Sequence, residues 1–170
     1  MELETKTGAG EFVISHTIAI PRERVWDAYT ERRHLMRWWG PKGFVMTHCT
    51  IDLRPGGAFH YGMRSPNGQE MWGKLTYREI VAPEILDFVV SFSDANGGVT
   101  RHPMAPTWPL ETLSRTTFAE ADGKTAVTVR WAPYNATDEE TRTFEAGRDS
   151  MRAGPAASFS QLEDYLRSVS

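Results

Sequence analysis

The chain has a single cysteine, Cys49, among its 170 residues. One thiol excludes an internal disulfide framework and fits a reducing compartment, so a cytoplasmic location is expected. No run approaches the about 18 apolar residues that a membrane span needs, and Met1 to Gly10 contains no apolar stretch resembling a signal peptide. An excess of basic charge is also missing. The formal net charge of -3 gives no electrostatic footprint for nucleic acid or an anionic membrane, and neither is expected as a partner. Gly56-Gly57 is not a phosphate loop, because no helix start and no Lys-Ser/Thr pair follow it. Ser150 lacks the G-x-S-x-G setting of a nucleophile elbow. The five histidines show no zinc-type spacing, so neither a metal nor a cofactor is expected.

What is present reads as one folded domain over 11–168, with 1–10 expected to be disordered or weakly ordered. The apolar fraction of 40% and charged fraction of 24% are ordinary for a globular chain. Glu11 to Ile20 alternates as a half-buried strand, with Phe12, Ile14, His16, Ile18 and Ile20 on one face. Pro21 opens a first short helix, and Thr30 is placed to cap a second that carries Leu35, Trp38 and Trp39. Gly40-Pro41 stops it. Six strands follow between Val45 and Tyr134, punctuated by Pro55-Gly56-Gly57, Pro66-Asn67-Gly68, Pro83-Glu84 and the hairpin signal Asp122-Gly123. A Gly- and Pro-rich loop from Asp94 to Leu110 interrupts them, with its glycine-rich start expected to be the less ordered half.

The last element is helical. Thr137 and Glu140 form a T-x-x-E capping box, and Phe144, Met151, Pro155, Phe159, Leu162 and Leu166 recur as an apolar stripe. Pro155 removes a hydrogen bond within that stripe, which predicts a bend or interruption between Met151 and Pro155. Hairpin-connected strands make an antiparallel sheet, and one long helix must cover one of its faces, giving an α+β fold. A curved sheet does not close tightly on a single cylinder. The space between them is expected to be a closed or nearly closed apolar pocket lined by Trp38, Phe59, Tyr61, Met63, Phe88, Trp131, Met151 and Phe159, with His16 as its polar group. The competing outcome is that these side chains meet and fill the space.

Several segments carry a resemblance. Ile18-Ala19-Ile20-Pro21-Arg22-Glu23-Arg24-Val25-Trp26 resembles the first strand-to-helix junction of the START-like (SRPBCC) superfamily. His34-Leu35-Met36-Arg37-Trp38-Trp39-Gly40-Pro41-Lys42-Gly43-Phe44 is similar to the heat-shock ATPase activator homologue family within it, as are Ile51 to Gly57, Met63 to Gly68, Ala105 to Leu110, Asn135 to Glu140 and Arg148 to Met151. The match covers nearly the whole chain from residue 12. It implies the helix-grip fold, a curved antiparallel sheet wrapped around a long C-terminal helix with two short helices after the first strand. One position departs, since Gly154 is followed by Pro155 where the family usually has an aromatic.

The chemistry leaves alternatives open. His16 either orients a ligand or is a core histidine tied to a neighbour. Asp52 and Arg54 either hold a polar ligand group or fix the turn before Gly56. Met104 and Trp108 either cover the pocket or anchor their loop. Three functions remain. The first is binding of a small hydrophobic or aromatic molecule. The second, implied by the superfamily resemblance, is a cyclase-, aromatase- or hydratase-type reaction using His16 with Tyr61 or an acid from the sheet. The third, implied by the family resemblance alone, is docking to a chaperone, ranked last because no separate N-terminal docking domain is expected. A homodimer is compatible with all three.

Overall fold

The computed structural model describes the backbone of residues 3–8 and the chain from 11 to 169. Strand β1 (Leu3–Gly8) runs antiparallel to β2 (Glu11–Ile18), so part of the stretch expected to be weakly ordered contributes an edge strand. Two helices follow, α1 (Arg22–Thr30) and α2 (Arg32–Trp38). Pro21 precedes α1 and Glu23 lies in its first turn, where a carboxylate suits the positive end of the helix dipole. Thr30 does not cap α2. Its hydroxyl donates back to the Trp26 carbonyl at 2.8 Å, and extended Glu31 separates the helices without a side-chain cap. Serine and threonine hydroxyls compete for the carbonyl one turn back, and here that bond wins.

The remaining strands are β3 (Val45–Ile51), β4 (Ala58–Arg64), β5 (Glu70–Val81), β6 (Ile85–Ser93), β7 (Val99–Thr100), β8 (Thr112–Ala121) and β9 (Lys124–Pro133). Among the described residues the nine strands form one antiparallel sheet, ordered β1-β2-β9-β8-β6-β5-β4-β3 with short β7 beside β6. The β8–β9 turn has positive φ at both Asp122 (55°) and Gly123 (73°), as the twist of a two-residue hairpin demands. The glycine-rich start of the long loop is a built turn. The Asp94 carboxylate accepts from the Asn96 and Gly98 backbone N–H groups at 2.8 and 2.9 Å, and β7 then pairs with β6.

The C-terminal segment is helical in three pieces: α3 (Asp138–Ala146), α4 (Arg148–Met151) and α5 (Ala153–Ser168). The capping box forms, with Thr137 Oγ1 accepting from Glu140 N and Glu140 Oε1 accepting from Thr137 N. The expected interruption falls at Arg152, inside the predicted window, and a further one falls at Gly147. Restarting at Ala153 puts Pro155 in the first turn of α5, where its missing N–H would have had no intrahelical partner. We therefore expect Pro155→Ala to change stability by less than about 1 kcal/mol, against the about 3 kcal/mol that a proline costs in a helix interior. Urea denaturation checks this, and a gain of about 2 kcal/mol or more would mean that the proline strains an otherwise continuous helix.

The sheet curves around α5, which packs against β2, α1 and α2, and the whole is an α+β helix-grip fold. Phe144, Met151, Phe159, Leu162 and Leu166 of the helical stripe are all buried, facing Ile14, Ile18, Phe59, Leu75 and Val127 of the sheet within one core. Among the described residues no helix is long and apolar enough to cross a membrane.

Candidate functional site

Between the sheet and α5 lies a cleft of about 450 Å³, above the about 300 Å³ at the low end for ligand pockets. Its floor is Phe88 and Val90 of β6, Ser114 and Thr116 of β8, and Val129 and Trp131 of β9. Tyr61, Met63 and Leu75 form one wall, and Tyr29, Trp38 and Trp39 close one end. The roof is the first half of α5, from Gly154 to Gln161. Small residues on both sides, Ser114 and Thr116 below with Gly154, Ala157 and Ser158 above, leave the gap that large side chains would fill. The expected closed pocket is instead an open cleft, because exposed Pro41, Lys42, Gly154 and Ala157 form its mouth.

The mouth is fixed in place. The Trp38 indole N–H donates to the Ala28 carbonyl at 2.8 Å, holding α2 against α1. From α5, the Gln161 amide donates to the Trp38 and Gly40 carbonyls at 3.1 and 2.7 Å. Gly40, at φ 100°, lies over Met63 so closely that an added Cβ would overlap its sulfur. Burial pushes the Tyr29 phenol well above its ordinary range. It also raises Tyr61, with hydrogen bonding from Trp39 acting in the opposite sense. Both phenols are neutral at pH 7, which leaves Lys42 at the mouth as the one basic or acidic side chain in the lining among the described residues. A smaller cavity of about 190 Å³ adjoins the cleft past Tyr61, Met63, Val90 and Trp131.

The structure brings together six of the nine residues expected in the lining: Trp38, Tyr61, Met63, Phe88, Trp131 and Phe159. Phe59 and Met151 are buried in the core beside it, with Phe59 packed beneath Trp39 at a ring separation of 5.4 Å. His16 lies behind Phe159, its ring stacked at 5.2 Å and 13°. Its Nε2 is 3.8 Å from Glu163 Oε1, too far for a hydrogen bond, and neither ring nitrogen has a partner among the described residues. Met104 is 88% exposed and lines no part of the cleft. Trp108 anchors its loop against Trp131 and Phe144, at 5.8 and 5.5 Å. Arg54 and Asp52 pair at 2.8 Å around the Gly56-Gly57 turn. The hydroxyls of Ser114 and Thr116 and the strap from Gly40 to Lys42 were not expected. The signal for them is the inward phase of β8, which runs Thr112, Ser114, Thr116, Phe118.

Comparison with known proteins follows the same outline. The model of the family described as Activator of Hsp90 ATPase homolog 1-like protein matches residues 19–167. A search of curated proteins returns no match. Among solved structures, protein Ms6760 of Mycobacterium smegmatis is 24% identical with a TM-score of 0.76, over 98% of this chain and 96% of that one. An Arthrobacter aurescens protein is 24% identical at a TM-score of 0.78, covering 97% and 91%. A Rhodobacter sphaeroides protein is 18% identical at 0.78, covering 99% and 100%. At these identities the likenesses establish the fold alone.

Proposed function

The chain belongs to the Activator of Hsp90 ATPase homolog 1-like family, and from that premise we propose that it binds a small hydrophobic or aromatic molecule in the cleft between sheet and α5. The observation that carries this reading is the cleft itself: about 450 Å³, walled mainly by aromatic and aliphatic side chains, with a few hydroxyls and one charge at the mouth. Ligand sites have that composition. An enzyme using His16 with Tyr61 gains nothing from the geometry, since Tyr61 lines the cleft and His16 does not. We place the protein in the cytoplasm, where a lone buried thiol such as Cys49 stays reduced.

Three tryptophans in the lining make the test direct. The neutral probe N-phenyl-1-naphthylamine should bind one-to-one, quenching fluorescence from Trp38, Trp39 and Trp131. Ala157→Trp puts a large side chain at the exposed mouth, and it should weaken the probe by about tenfold or more by occupying its volume. Unchanged affinity in that variant would place the probe elsewhere and remove the reading.

A further inference from the structure

Alternate residues of a strand share a face, so β8 turns Thr112, Ser114, Thr116 and Phe118 inward, all of them buried. Three hydroxyls therefore run along a sheet face whose other members are apolar. Ser114 pairs with Phe88 on β6 and with Trp131 on β9, and Thr116 pairs with Leu86 and Val129. Both line the cleft, at 6% and 2% exposure. Among the described residues neither hydroxyl has a hydrogen-bond partner. Two buried threonines outside this strand are satisfied, Thr125 donating to the Ile20 carbonyl at 2.7 Å and Thr30 to the Trp26 carbonyl at 2.8 Å, whereas Thr112, the third inward hydroxyl of β8, is buried outside the cleft. The two hydroxyls are turned to the cleft and not spent on the fold, so their hydrogen-bonding capacity is available to whatever occupies it, which alanine or valine at these positions would not offer.

We infer that Ser114 and Thr116 are the polar anchor of the cleft, and that its ligand is a ring compound bearing a hydrogen-bonding oxygen, such as a phenol, ketone or alcohol. The inference rests on the binding reading above and narrows it. Each hydroxyl both donates and accepts, so either a carbonyl or a hydroxyl oxygen on the ligand is served. Phe88 and Trp131 flank Ser114 across the neighbouring strands and offer apolar faces to a ring beside it. An anionic group is disfavoured at this depth, because Lys42, the one basic side chain in the lining among the described residues, is at the mouth.

The test uses two probes of the same shape, 2-naphthol and 2-methylnaphthalene, titrated calorimetrically into the full chain. Ser114→Ala, Thr116→Val and the double variant remove the hydroxyls with little change of volume. The double variant is expected to weaken 2-naphthol by about tenfold and each single variant by about threefold, with 2-methylnaphthalene within about twofold throughout. Thermal stability should be unchanged or raised, because no internal bond is lost. A lower Tm on losing the hydroxyls would make them structural and overturn the inference. So would equal changes for the two probes, an outcome that leaves the binding reading standing. Failure of the unmodified chain to bind either probe would remove the binding reading, and the anchor with it.

Discussion

Glu140→Ala is expected to lower the unfolding free energy by about 3 kcal/mol, among the largest losses for any single polar side chain here. Three structures meet on this carboxylate. Oε1 accepts from the Thr137 backbone N–H at 2.9 Å, completing the capping box at the start of α3. Oε2 takes the Arg101 guanidinium and accepts from the Leu110 N–H at 3.4 Å, which ties both ends of the 101–110 loop to the same helix. The Glu140 side chain is only 6% exposed while Arg101 is 49% exposed. Removing the acid strands two backbone donors but lets the arginine return to water, so the loss is that of a cap and its bonds, not of a buried unpaired charge. Glu140→Gln keeps an oxygen for Thr137, and glutamine serves in capping boxes, so it should cost about half as much.

The pH dependence carries a definite sign. The Thr137 N–H first, and then Arg101, hold the Glu140 carboxyl below the ordinary glutamate range. Its folded value is depressed relative to the unfolded chain. Its contribution is therefore complete above about pH 4.3, the unfolded value, and is lost as pH falls through the folded one. Comparing the chain with Glu140→Gln isolates this group from other depressed carboxyls, such as Asp94. Denaturation from pH 7 to pH 3 should show a constant gap that narrows below about pH 4. A gap independent of pH would mean that the carboxylate charge adds nothing to stability.

The capping box was legible because its signal is local: threonine, glutamate three residues on, and an apolar stripe behind them. The other half of the interaction was not, since Arg101 lies 39 residues earlier in a loop without periodicity. The same contrast holds for the fold. Strands β4, β6 and β9 alternate apolar with polar residues and were placed within a few positions, as was the Asp122-Gly123 hairpin. The break at Gly147 was missed because the stripe from Phe144 to Leu166 keeps its spacing across it, and all of its large apolar members are buried. Period reports which residues face the core, not whether the helix axis stays straight. Six lining residues were found by phase alone. Phe59 and His16 share the right face, but the one packs beneath Trp39 and the other behind Phe159, and depth along a strand leaves no mark in the alternation. Ser114 and Thr116 are not legible in the same way, because a hydroxyl in the inward phase weakens the apolar–polar contrast that marks the buried face.

Gly73→Ala is expected to cost about 2–3 kcal/mol through the wall of the cleft. In isolation the change should help, since glycine inside a strand is less favourable than alanine by about 0.5–1 kcal/mol. Strands β4 and β5 exchange rings, however. Tyr61 is directly opposite Gly73 and Trp72 is directly opposite Gly62, so the two pairs occupy opposite faces of the sheet. A Cβ on Gly73 would overlap the Tyr61 phenol, and one on Gly62 would meet the Trp72 ring at 2.8 Å. Each aromatic thus covers the backbone of a glycine across the strand pair and supplies the contacts that the glycine lacks. On the cleft side the consequence is functional, because displaced Tyr61 would swing away from Trp39 and Phe59, its ring neighbours at 6.0 and 5.0 Å. A double-mutant cycle separates steric conflict from general strand damage. In a Tyr61→Ala background, Gly73→Ala should be neutral or slightly stabilising, a coupling of about 2 kcal/mol or more. Chemical denaturation of the four proteins measures it. If Gly73→Ala costs the same with and without the tyrosine, the ring does not depend on the glycine, and this wall of the cleft is held by something other than the Tyr61–Gly73 contact.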